Sequence, residues 1–232
     1  PGIDVFIAGF DKFFQEGSIE LQTTSTEAIC EILSENLGKE NTKKFKNLIF
    51  YILKTVLRCF EENDIDNLKI SLFALSNLAQ FQPAMLKKNF RDITILMSKI
   101  IENKNLEDDQ NLREVAFEII VSIIEAHPKV ITDDKEKLSG LINSIYKYAM
   151  EMEEDIDDNW LTPTSTSLSS EKFIPEQKLD EALSLIDRII LGCKMNNVLL
   201  KIISQYIMEL LKHKDDSWKY KYIAYVSVGK IA

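Results

Sequence analysis

Acidic side chains form the densest cluster of chemistry-bearing groups in this chain. Glu151, Glu153, Glu154, Asp155, Asp157 and Asp158 lie within eight residues, with no base among them and Trp160 just beyond. Closely spaced carboxylates can hold a hard cation. A calcium loop, however, also needs a glycine at its sixth position and a glutamate at its twelfth, and neither follows here. The same run can equally be a solvated stretch, or a surface for a basic partner. The tryptophan argues for contact, because a large amphipathic ring needs something to pack on.

Other reactive residues are few and dispersed. His127 and His213 are the two histidines and lie at helix ends far apart in sequence. His127 precedes Pro128 and reads as a surface residue. Cys30, Cys59 and Cys193 are odd in number, widely spaced and embedded in apolar patterns. They suggest neither a disulfide framework nor a zinc site, and a reducing compartment suits them. HExxH, GxSxG, P-loop and GxGxxG motifs are all absent. The expectation is a non-enzymatic protein with no catalytic residue, no metal and no cofactor.

Charge narrows the partners. With 28 basic and 37 acidic residues the net charge is -9, which disfavours nucleic acid and anionic lipid and favours a basic protein. The lysines at Lys43, Lys44 and Lys46, and at Lys87 and Lys88, introduce helices and read as solvated. No apolar run approaches the roughly 18 residues of a membrane span.

The elements that position these residues are helices in a repeating pattern. At an offset of 45 residues, Leu75 meets Ile120, Leu78 meets Ile123, Pro83 meets Pro128 and Leu86 meets Ile131. Each of these apolar helices is followed by a proline and then by a second apolar helix. Within the latter, Leu138, Leu141, Ile142, Ile145, Tyr148, Ala149 and Met152 keep helical spacing. Asn63-Asp64, Asp133-Asp134 and Asp215-Asp216 punctuate the joints. First helices start near 20, 65, 109, 176 and 217.

Three of the four intervals fall in the ~40–47 residue period of HEAT and armadillo repeats. Two helices per unit favour HEAT over the three-helix armadillo unit. A recurring proline at constant offset argues against a compact bundle. The expected fold is therefore an all-α solenoid of HEAT repeats, a single array over 1–232 that reads as a piece of something longer. A leading helix is expected at 2–16, repeats at 20–63, 65–103 and 109–153, an acidic and Ser/Thr-rich loop at 154–175, a repeat at 176–213, and the first helix of a further repeat at 217–232. The long interval holds the acidic run, and insertions in repeats commonly emerge on the binding face.

Four pieces, taken in order, carry a family resemblance: LREVAFEIIVSIIEAHPKVI from Leu112, EMEEDIDDNW ending at Trp160, ALSLIDRIILGCK from Ala182, and DSWKYKYIAYVSVGKIA from Asp215. Together they resemble the importin-beta (karyopherin-beta) family of nuclear transport receptors. The third piece is close to the importin-five, or importin beta-three, branch. Departures are Lys221, Cys193 and the Ser/Thr-rich segment after Trp160.

The resemblance implies HEAT superhelices that shuttle between cytoplasm and nucleus through the nuclear pore. It implies three partner classes: basic cargo with nuclear localisation signals, the GTPase Ran in its GTP form, and phenylalanine-glycine nucleoporins. Glu153, Glu154, Asp155, Asp157, Asp158 and Trp160 match the family's acidic loop, which contacts Ran and influences cargo release. Cargo is expected on the second helices, with Asn143 and Lys147 as candidates. Phe73 and Phe117 are candidates for lining shallow apolar grooves between first helices. A HEAT scaffold of another class, such as a phosphatase regulatory subunit or an adaptor, keeps the fold and loses Ran.

Overall fold

The structure, a computed structural model, describes residues 2–35, 38–103, 105–106, 110–151, 176–213 and 218–231. Among them there are helices and no strand. In chain order the helices are α1 (Gly2–Glu16), α2 (Ile19–Ser34), α3 (Lys39–Lys44), α4 (Leu48–Glu61), α5 (Ile65–Phe81), α6 (Pro83–Leu86), α7 (Phe90–Ile101), α8 (Gln110–Ala126), α9 (Lys129–Thr132), α10 (Lys135–Met150), α11 (Glu176–Gly192), α12 (Asn197–Lys212) and α13 (Trp218–Ile231). They divide into two compact units, 1–130 and 131–232.

Local chemistry sets the helix ends. Asn63 takes a left-handed conformation (φ 55°) at the end of α4, which asparagine tolerates better than most residues. Its neighbour Asp64 then caps α5, its side chain accepting from the Asn67 backbone N–H at 3.2 Å and from Asn67 Nδ2 at 2.8 Å. A cap of this kind contributes about 1 kcal/mol. Asp134 repeats the device at α10, where it accepts from the Lys137 backbone N–H at 3.2 Å and pairs with the Lys137 ammonium. Asn196 does the same for α12, accepting from the Val198 N–H at 2.8 Å.

The proline turns hold more structure than two helices per unit allow. Pro83 is the first residue of the one-turn helix α6, where its fixed φ suits helix entry and its missing N–H costs nothing. After Pro128 comes the one-turn helix α9. The lysine-bearing segments belong to such connectors. Lys43 and Lys44 end α3, and Lys46 and Lys87–Asn89 sit in 3-10 turns ahead of α4 and α7. An expectation of two helices per unit thus misses short third segments, which have too few residues to show a period.

In the first unit, α2, α5 and α8 pack side by side as one layer, and α4 and α7 lie against them as a second. α1 packs against α2 and α4. Spacing explains the burial: Leu68, Leu72, Leu75 and Leu78 place one face of α5 wholly inside. Each such side chain contributes about 1.5–3 kcal/mol by leaving water. α8 is buried nearly all round, with Leu112, Ala116, Phe117 and every residue from Ile119 to Ile124 inside. Neighbours on several sides, α5, α6 and α7, require this. In the second unit, α10 packs on α11 and α12, and α13 packs on α11 and α12.

Candidate interaction surfaces

The α10 helix buries Leu138, Leu141, Ile142, Ile145, Tyr148 and Ala149. Its remaining stripe holds half-buried Asn143 and exposed Lys147, one turn apart. Beside that stripe Tyr146 stacks on Tyr206 of α12, with ring centroids 5.5 Å apart. The Tyr206 hydroxyl donates to the Ser139 carbonyl at 3.4 Å. Asn143 and Lys147 therefore share one polar face backed by a fixed aromatic pair.

The two phenylalanines part company. Phe73 is 48% exposed and shares the outer stripe of α5 with Ile70 and Phe81, the last 65% exposed. Phe117 is fully buried, so it is a core residue and lines no groove. The repeat register gives the reason. At the 45-residue offset Phe117 aligns with core Leu72, whereas the position matching Phe73 is Glu118. Phe81 carries a sequence signal of its own, standing two residues before Pro83, where the buried face of α5 ends.

The acidic run and its tryptophan, Glu153, Glu154, Asp155, Asp157, Asp158 and Trp160, lie outside the described residues, as does the whole of the expected 154–175 loop.

One cleft of about 410 Å³ opens in the first unit, lined by Phe14, Gln15, Gln22, Tyr51, Lys54, Thr55 and Arg58. Phe14 and Tyr51 stack at 5.6 Å with rings 8° from parallel. Gln22 braces its floor, donating through Nε2 to the Phe14 carbonyl at 2.8 Å and accepting from Arg58 Nη1 at 3.2 Å. The same guanidinium donates to Glu62 Oε1 at 2.7 Å. No sequence pattern announces this cleft, because its walls come from three helices.

His127 is half-buried rather than superficial. Its Nε2 is enclosed with no hydrogen-bond partner among the described residues. His213 is exposed and stacks on Tyr220 at 3.8 Å. The three thiols are buried and free. Burial pushes Cys30 up to about 12 and raises Cys59 and Cys193 above the ordinary thiol range. Among the described residues no three His, Cys, Asp or Glu side chains gather to hold a metal ion. Likewise, no helix there is long and apolar enough to cross a membrane.

No family model and no curated protein matches the chain. Solved structures do. The crystal structure of the karyopherin Kap121p bound to the SUMO protease Ulp1p superposes with TM-score 0.77 at 20% identity, covering 100% of this chain and 22% of that one. Kap121p bound to Nup53p gives the same values. Kap121p bound to RanGTP gives TM-score 0.75 at 20% identity over 96% of this chain and 21% of that one. The chain thus spans about a fifth of the length of the karyopherins it matches. From end to end it has the fold of the importin-beta family karyopherins, an all-α solenoid of HEAT repeats.

Proposed function

We propose that the chain is a portion of a nuclear import receptor, a binding scaffold without catalytic activity. The observation that carries this reading is fold likeness along the whole chain to a karyopherin solved both with cargo and with RanGTP. The ordered series of four sequence pieces, independent of that likeness, points to the same family. On this reading the partners are basic cargo with nuclear localisation signals, Ran in its GTP form and phenylalanine-glycine nucleoporins, and the protein shuttles through the nuclear pore.

The mechanism follows from one-dimensional construction. Adjacent repeats contact mainly each other, so small rotations add along the array and a partner at one place changes curvature elsewhere. The acidic run from Glu153 to Asp158, with Trp160, is the element that couples Ran to cargo release. Asn143 and Lys147 offer the cargo-facing polar stripe. Phe73, with Ile70 and Phe81, offers the apolar outer stripe for phenylalanine side chains.

Capture of purified Ran by the receptor tests the class. GTP-loaded Ran should be retained in preference to GDP-loaded Ran. Deleting 153–160 should weaken retention and alter cargo release. Equal retention of both nucleotide forms would instead mark a HEAT scaffold of another class. Unchanged retention and release after the deletion would remove the loop from the mechanism.

A further inference from the structure

The 45-residue repeat carries a second pattern beside its apolar core. Lys46 lies in the 3-10 turn ahead of α4, and Phe50 and Lys54 follow at four-residue steps within α4. Arg91, Ile95 and Lys99 occur at the same steps on α7, each 45 residues after its counterpart. Four-residue steps place Phe50 and Lys54 on one face of α4, and Arg91, Ile95 and Lys99 on one face of α7. Equivalent repeat positions on neighbouring helices face the same way, and α4 packs beside α7. All six side chains are exposed, Phe50 at 62% and Ile95 at 50%. Among the described residues none of the four cations has an ion pair or hydrogen bond. This contrasts with Arg58, which is committed to Glu62.

The acids on these helices sit elsewhere. Glu61, Glu62 and Glu102 follow the triplets at the C-terminal ends, and Asp92 lies in the first turn of α7, where it suits the helix dipole. In a chain with net charge -9, two aligned cation–apolar–cation triplets form a local reversal of sign. At the matching positions of the next second helix, α10, stand Glu136, Gly140 and Ser144, so the pattern does not continue into α10.

We propose that the α4–α7 face is a docking site for an acidic peptide segment with apolar anchor side chains. The cations select carboxylates and steer the encounter, while Phe50 and Ile95 supply the apolar contact. Neighbouring helix axes are ~8–10 Å apart. An extended segment bridges that distance with anchors about three residues apart. The site shares no residue with Asn143 and Lys147 of α10, and its cations would repel basic cargo. Nucleic acid suits it less, because a polyanion meets the net acidity of the whole chain and gains little from isolated aliphatic anchors.

The test titrates the whole chain with labelled peptides in which glutamates surround one phenylalanine and one leucine, three residues apart. Counterparts carry lysine or serine in place of each glutamate, and an oligothymidylate serves as the nucleic-acid probe. The acidic peptide should bind at least ~tenfold tighter than either counterpart, with affinity falling as salt rises. Lys54→Glu with Arg91→Glu should abolish that preference. Phe50→Ser with Ile95→Ser should weaken binding while leaving its salt dependence. All four substitutions are at exposed positions, and circular dichroism checks the fold. Lys129→Glu with Lys201→Glu makes the same charge change at other exposed sites and should leave affinity unchanged. Equal binding of the lysine peptide, equal loss in that control pair, or displacement of the peptide by a lower concentration of oligothymidylate would each overturn the proposal. Failure of Ran capture would leave this result standing, since the two readouts share no residue.

Discussion

Replacing Phe117 with alanine is expected to destabilise the first unit by about 3–5 kcal/mol. The ring is fully buried on α8, the helix that meets α5, α6 and α7. Such a site has little freedom to collapse, because surrounding helices are themselves held by further contacts. The loss therefore combines the ring's transfer free energy with the cost of the void left behind. Urea unfolding followed by circular dichroism measures it as an earlier midpoint. Phe73→Ala, at a 48% exposed position, provides the contrast and should change stability by no more than about 0.5 kcal/mol. A Phe117→Ala shift as small as that of Phe73→Ala would contradict the assignment of Phe117 to the core.

The second large effect is expected at Arg113. This cation is only 5% exposed, and its Nε donates to the Ile101 carbonyl at 2.7 Å. Ile101 is the last residue of α7, so the guanidinium satisfies a carbonyl that the helix itself leaves open. It also sits at the negative end of the helix dipole. Arg113→Ala removes a charged donor and strands a buried acceptor, at a cost of about 2–3 kcal/mol. Arg113→Met preserves much of the packing and isolates the polar part. Both variants should speed amide exchange in the last turn of α7 before they affect α10. Unchanged exchange there would show that the bond does not hold the helix end.

These two residues also show what the sequence makes legible. Spacing alone reveals that α8 is a helix and that the unit repeats every 45 residues. Asn63-Asp64 announces a helix end followed by a cap, because each residue type has a local reason to be there. Register can go further than pattern: aligning Phe117 with Leu72 places it inside, whereas treating every aromatic on a first helix alike does not. One-turn helices such as α6 and α9 escape, having less than two turns over which a period could show. The Phe14–Tyr51 cleft escapes for another reason. Its residues are separated by up to 44 positions, and only the packing of α1 and α2 against α4 brings them together. Arg113 reads as an exposed charge in a sequence, since nothing local marks the Ile101 carbonyl as its partner.

The buried thiols have a consequence for how the protein opens. A thiol held far from ionisation and shielded from solvent cannot be alkylated until its surroundings part. Cys30 and Cys59 lie in residues 1–130 and Cys193 in residues 131–232, so each unit contains its own chemical reporter. Short pulses of iodoacetamide, read residue by residue by mass spectrometry, would time the breathing of each unit without adding any probe. Cys193, at 7% exposure against 1% for Cys30 and none for Cys59, should be marked first; simultaneous marking of all three would show that the chain opens as one cooperative body.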